Sequence, residues 1–192
     1  MTGWAALAEE MVGCTACGLA ATRTQVVPGV AAPEARIVLI GEAPGRAEDE
    51  GGLPFVGRSG RLLDELLDAA GLHRDQLAIV NTVKCRPPAN RTPKRIEAAT
   101  CRPWLDRQVR VIDPDVVVTL GGSALAWALG TGRRLRDARG QVHRLRLPGS
   151  EERSYQMVAT YHPAAALRFG PAGEPRQALA ADLQLAAGLV AR

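Results

Sequence analysis

The sequence predicts an α/β fold: three layers, α/β/α, around a central and mostly parallel β-sheet with helices on both faces. Two observations carry this. Short apolar runs without polar alternation recur along the chain, as strands buried on both faces require. Between them lie segments with apolar residues at helical spacing, so strand and helix patterns alternate through most of the sequence. The 192 residues fit one domain spanning 1–192, with no internal repeat and no low-complexity tail.

Taken in order, "WAALAEEM" (4–11) reads as a short helix, and "CTACGLAATRTQVVPGV" (14–30) as a loop around two cysteines. "RIVLI" (36–40) is the first buried strand, followed by the glycine-rich loop "GEAPGRAEDEGGLPFVGRSG" (41–60). "SGRLLDELLDAAG" (59–71) is an amphipathic helix with Gly71 as its stop signal. "LAIVNTV" (77–83) is the second strand; "CRPPANRTP" (85–93) is a loop, because its prolines cannot join a ladder. Residues 94–112 read as helix, with Thr92 as cap, Pro93 in the first turn and Pro103 expected to kink or divide it. "DVVVTL" (115–120) is the third strand, and "GGSALAWALG" (121–130) opens another helix. Residues 139–160 read as a hairpin ending in "YQMVAT", which leads to "YHPAAALR" (161–168). A final helix runs from about Pro175 to Ala191.

Composition narrows the function classes. A net charge of +4 permits a nucleic-acid partner without demanding one. Only seven residues are aromatic, so few rings are available for stacking. No apolar run approaches the ~18 residues of a membrane span. The N-terminus has no basic segment ahead of an apolar one, so it is not a secretory signal. A cytoplasmic protein with reduced cysteines and no membrane association is expected.

In open α/β sheets, ligands sit beyond the carboxyl ends of the strands. Four segments follow strand ends here: the loop after Ile40, Asn81, the Gly121–Gly122–Ser123 turn, and His162. They are expected to converge. The first raises a question, since glycine-rich loops after strands usually cradle phosphates and carboxylates repel them.

The cysteines are Cys14, Cys17, Cys85 and Cys101, one C-x2-C pair and two further residues. Four thiolates suit zinc or an iron–sulfur cluster, and spacing does not choose between them. Either would tie the N-terminal segment to residues 85–101. No further group beside them offers an open catalytic position, so the role reads as structural.

The segments "GEAPGRAEDEGGLPFVGRSG", "NTVKCRPPANRTP", "ACGL" and "HPAAALR" together resemble the family 4 uracil-DNA glycosylases, over residues 14–183 or so. The resemblance implies a four-stranded parallel sheet flanked by helices, a 4Fe–4S cluster on the four cysteines, and excision of uracil from DNA to leave an abasic site. Uracil-containing DNA, single- or double-stranded, is then the partner, with the protein a monomer acting beside a prokaryotic nucleoid.

Uracil excision gives the sugar oxocarbenium character and leaves negative charge on the departing base. The base must also leave the stack for a pocket. Glu42 is the first candidate to position water and stabilise the cationic sugar, with Glu48 as its rival. Asp49 and Glu50 are expected to face solvent or cap structure. The carboxylates are wanted for a cationic transition state, while the glycines let backbone approach sugar and base. Ala43 belongs to the substrate-binding set. By the resemblance, Phe55 stacks on uracil. Asn81 carries one acceptor and one donor, which match the ring N–H and keto oxygen of uracil and clash with cytosine. His162 is expected to hydrogen-bond the charge developing on the 2-keto oxygen. Leu167 and Arg168 are candidates for a duplex wedge and a phosphate contact. "AAA" at 164–166 replaces the commoner family pattern "SYL", which removes a hydroxyl contact to phosphate. Gly121, Gly122 and Ser123 form either a phosphate site or a plain tight turn. Arg86, Asn90, Arg91 and Lys94 are candidate backbone contacts.

Two other readings compete. A related branch traps uracil-DNA covalently through a histidine before its last cysteine, but "RPPANRTPKRIEAAT" (86–100) holds no histidine. A non-catalytic iron–sulfur protein that binds uracil-DNA or abasic sites is opposed by the complete set Glu42, Phe55, Asn81 and His162. No lysine in the motifs presents itself as a Schiff-base nucleophile, so hydrolysis without a lyase step is expected.

Overall fold

The computed structural model describes residues 3–149 and 153–190. The elements run α1 (Gly3–Val12), β1 (Val30–Ala31), β2 (Ile37–Gly41), α2 (Arg46–Gly51), α3 (Arg58–Ala69), β3 (Ala78–Asn81), α4 (Arg95–Ile112), β4 (Val116–Leu120), α5 (Gly122–Leu129), α6 (Leu135–Ala138), β5 (Val142–Leu145), β6 (Tyr155–Thr160), α7 (Pro163–Phe169) and α8 (Glu174–Val190).

The strand order is β1-β3-β2-β4-β6-β5. The inner four strands are parallel, and β1 and β5 pair antiparallel at the two edges. The sheet therefore has six strands, where the family resemblance implied four. β1 is two residues long, too short to leave a periodic signal. The hairpin of 139–160 forms as β5–β6, with residues 150–152 outside the described set.

Side-chain alternation builds a core on each face. Ile37, Leu39, Val116, Val118 and Leu120 point to one side, against Leu63 and Leu67 of α3 and Leu179 and Leu183 of α8. Val38, Ile40 and Val117 point to the other, against Leu105 and Val109 of α4 and Leu125 of α5. A third cluster joins Leu7 and Met11 of α1 to Leu19, Val26, Val83 and Cys85. It fastens the N-terminal segment to the loop after β3.

Several expected elements differ. The stretch 41–60 is not all loop, since α2 occupies its middle. α4 begins at Arg95 rather than at Thr92 or Pro93, because Glu97 reaches back to accept from the Lys94 N–H at 2.7 Å. Pro103 neither divides α4 nor ends it. Pro103 and Ala99, whose carbonyl the missing N–H would have served, are both exposed, so water can take that carbonyl. "HPAAALR" is the helix α7, capped by His162 with Pro163 at its first position.

Candidate active site

The chain passes from β2 to β3 on one side and then to β4 on the other, so a crevice opens where the strand order reverses. There the carboxyl ends of β2, β3, β4 and β6 converge on a cleft of about 480 Å³. Glu42, Ala43 and Glu48 enter it from beyond β2, Asn81 from the end of β3, Gly121 and Gly122 from beyond β4, and His162 from beyond β6. Phe55 and Arg168 complete its wall. Of the expected residues, Asn90 lines it too, while Ser123, Leu167, Arg86, Arg91 and Lys94 do not. Ser123 lies behind the wall, Leu167 is exposed on α7, and Arg86 donates through Nε to Asn90 Oδ1 at 2.7 Å.

Asn81 is 3 % exposed, and its Oδ1 has no hydrogen-bond partner. A buried acceptor left unpaired costs roughly 1–3 kcal/mol, so this atom is open to a donor from water or from a molecule in the cleft. The backbone around it is fixed. The Glu42 carbonyl accepts from Thr82 Oγ1 at 2.6 Å and from the Val83 N–H at 3.2 Å. These bonds lock the acid-bearing loop to the end of β3. Gly41 lies between: a Cβ there would stand 2.4 Å from Asn81 Oδ1 and 2.6 Å from Phe55 Cζ. The glycines of 41–60 were expected to admit sugar and base; Gly41, which ends a buried strand, instead admits the side chains of Asn81 and Phe55.

Phe55 is 5 % exposed and its ring stands 5.5 Å from that of His162, centre to centre, tilted by 31°. Its backbone sits at φ 53°, a strained value for a non-glycine residue. Three neighbours hold it there. Glu48 accepts from the N–H groups of Val56 and Gly57 at 2.9 Å each, and from that of Gly45 at 3.0 Å. Arg74 donates to the Pro54 carbonyl and pairs with Asp64 at 2.7 Å. Gly60 lets α3 touch the Phe55 backbone, since a Cβ there would lie 1.8 Å from the Phe55 carbonyl oxygen. Asp49, expected to face solvent or cap structure, is buried and caps the Thr24 N–H at 2.9 and 3.0 Å. Glu50 is exposed and pairs with Arg46 at 2.7 Å.

Glu42 is half-buried, and its Oε2 accepts from Ser123 Oγ at 2.5 Å. The other carboxylate oxygen has no protein donor among the described residues. His162 Nδ1 accepts from the Ala164 N–H at 3.1 Å, which places the ring proton on Nε2. Burial pulls its pKa down to about 4, against a smaller opposing effect of Glu48, so the imidazole is neutral near pH 7. Arg91, expected at the backbone, is engaged by Glu97 in a two-point pair at 2.7 and 2.8 Å. That pair holds the Glu97 carboxyl at about 2.

Cys14, Cys17, Cys85 and Cys101 line one narrow pocket with Lys84, Arg23, Met11 and Trp104. Among the described residues, no three metal-ligating side chains close on a single ion. Four thiols around one pocket are a donor set that suits an iron–sulfur cluster or zinc. Two cations face them. Arg23 donates to Cys85 Sγ at 3.3 Å, and the Lys84 ammonium is buried alongside. Burial pushes the Cys85 thiol up to about 11, with Arg23 opposing, and raises that of Cys101.

A doubly flanked parallel sheet thus brings a carboxylate, a carboxamide, an aromatic ring and a neutral histidine to one crevice, the usual place of a ligand site in an open α/β fold. The sequence matches the Uracil DNA glycosylase superfamily over residues 28–184. It is 42 % identical over 164 residues to the Type-4 uracil-DNA glycosylase of Sulfurisphaera tokodaii, covering 83 % of this chain and 73 % of that one. It is 39 % identical over 184 residues to that of Thermotoga maritima, covering 96 % and 93 %. For the Pyrobaculum aerophilum enzyme of the same name the figures are 40 % over 166 residues, covering 84 % and 83 %. The chain belongs to the type-4 uracil-DNA glycosylases of this superfamily.

Proposed function

We infer that the protein hydrolyses the N-glycosidic bond of uracil in DNA, releasing uracil and leaving an abasic site. The observation that carries this is the buried, unpartnered Oδ1 of Asn81, placed beside Phe55 and across from a neutral His162. A uracil flipped into the cleft gives that atom its ring N–H, while the carboxamide N–H meets the 4-keto oxygen. Cytosine presents a ring acceptor where uracil presents that N–H, and an amino group where uracil presents its 4-keto oxygen, so a fixed carboxamide would meet acceptor with acceptor and donor with donor. Phe55 stacks on the base, and Ala43 lies alongside without filling its place.

Glu42 positions the attacking water and faces the oxocarbenium-like sugar. Its bond from Ser123 fixes the carboxylate plane and leaves one oxygen for water. Glu48, the rival acid, spends its oxygens on three backbone N–H groups, which supports a clamp on the base-stacking loop instead. His162 donates from Nε2 to the 2-keto oxygen as charge builds there; a neutral donor needs no counter-charge. Arg168 at the cleft mouth meets a phosphate, Leu167 enters the space the base vacates, and Arg86 and the Gly121–Ser123 turn meet neighbouring phosphates.

Cys14, Cys17, Cys85 and Cys101 hold a 4Fe–4S cluster, as is typical of type-4 enzymes. When bound, it ties residues 14–17 to 85–101 and so makes residues 1–192 one domain. The substrate places the protein with the chromosome, in the cytoplasm of a prokaryotic cell, as a monomer.

The test is a labelled oligonucleotide with one uracil, run on a denaturing gel with and without hot alkali. Cleavage only after alkali is the expected result. Cleavage without alkali would replace hydrolysis by a lyase mechanism. A protein-sized shift on an intact strand would replace it by covalent capture, and an unaltered strand would remove the activity.

A further inference from the structure

Lys84 is 2 % exposed, the largest fully buried side chain among the described residues. Its Nζ donates to the backbone carbonyl of Asn81, three residues earlier. The same side chain lines the cysteine pocket. Burying an ammonium is costly, and it needs both a good acceptor and a nearby negative charge. An aliphatic side chain of similar length would fill the space more favourably. The ammonium is therefore retained for where it points.

It points two ways. On one side lies the carbonyl that ends β3, the residue whose Oδ1 reads the base. On the other lies a set of four thiols, which as cluster ligands are thiolates with net negative charge around them. Arg23 faces the same thiols, donating to Cys85 Sγ at 3.3 Å, but this bond does not reach β3.

We propose that Lys84 is a positioning residue that ties the cysteine pocket to the base-reading end of β3. Its ammonium holds the Asn81 backbone from the cluster side, while the Glu42 carbonyl holds residues 82 and 83 from the cleft side. The carboxamide is then oriented at both ends of its own turn. The cluster contributes to reading uracil through this one side chain, besides bracing the N-terminal segment. The inference rests on Asn81 being the base reader.

The experiment is a double-mutant cycle in the cluster-loaded enzyme, with Lys84→Met, Asn81→Ala and both together. Each is measured for kcat and KM on a uracil oligonucleotide, for preference in binding uracil over thymine strands, and for iron per chain. Lys84→Met is expected to lower kcat/KM and the uracil preference about tenfold, the worth of one charged hydrogen bond. It should have no further effect once Asn81 is alanine. Iron per chain should be near that of the unaltered enzyme on purification and be lost faster to a chelator. An equal loss from Lys84→Met in both backgrounds would make Lys84 a merely structural residue and overturn the proposal, as would no loss in either. An Asn81→Ala enzyme as active as the unaltered chain would overturn the reading of Asn81 and the inference with it. Should the methionine variant not fold, Lys84→Gln carries the same cycle, because it keeps a buried donor; a loss that persists with Asn81→Ala would again refute it.

Discussion

Truncating Glu48 separates its two candidate roles. In Glu48→Ala the N–H groups of Gly45, Val56 and Gly57 lose their acceptor together. A hydrogen bond to a buried charge contributes roughly 1.5–3 kcal/mol, and water entering the gap returns part of it. A net cost of about 3–5 kcal/mol follows. If all of it fell on global stability, the melting temperature would drop roughly 6–20 °C for a chain of this size. The loop can also open by itself while the sheet stays folded, which caps the loss. Opening frees Phe55 from φ 53° and releases ~1–3 kcal/mol of strain, so the stacking ring leaves its place. The expected outcome is a lower melting temperature, a raised KM and a loss of at least about hundredfold in kcat/KM, which corresponds to ~2.7 kcal/mol. Glu48→Gln should fall between, because one oxygen can still serve Val56 and Gly57 while the amide confronts the Gly45 N–H. Steady-state kinetics and thermal unfolding on the same preparations decide it. A Glu48→Ala enzyme with unaltered KM and melting temperature but a collapsed kcat would refute the clamp and return the water to Glu48.

Three further outcomes are expected. Asn81→Asp slows uracil excision by at least about tenfold and raises cytosine excision relative to it, since a carboxylate accepts from the cytosine amino group; unchanged uracil rates would remove Asn81 from the site. Gly41→Ala folds, because its backbone is not left-handed, but its methyl group displaces Phe55 and Asn81; uracil excision falls more than about tenfold with the circular dichroism spectrum intact, and a fully active variant would show that the cleft is looser than drawn. For His162, the folded pKa of about 4 lies below the ordinary 6.5. The folded state thus binds its proton later than the unfolded one as pH falls. The stability at stake is complete above 6.5 and is lost as pH drops toward 4. Excision should be level from pH 8 to 5.5, and an inflection near 6.5 that vanishes in His162→Gln would mean that the imidazolium forms in the working range.

The layers of the fold, and which residues share the cleft, follow from the apolar pattern alone. Unbroken apolar runs such as "IVLI" and "VVVTL" can only be strands covered on both faces, and residues at their carboxyl ends must meet at a crevice. Glu42, Asn81, Gly121 and His162 were legible as residues of one cleft for that reason, and the four cysteines as a group from their chemistry. What a residue binds was not legible where the partner lies far along the chain or is backbone. Glu42 and Glu48 look alike in the sequence. Only the fold gives one a serine hydroxyl 81 residues away and the other three N–H groups of its own loop. Gly41 needed the positions of Phe55 and Asn81 to become a contact, and Arg91 needed Glu97 to be drawn from DNA to an ion pair. Lys84 reads in sequence as one more basic residue beside a cysteine. Its burial and its aim at the Asn81 carbonyl exist only once β3 has paired with β2 and the N-terminal segment has closed over it. Periodicity records which face of an element is dry; hydrogen-bond partners are chosen by tertiary neighbours, and those were decided by the packing.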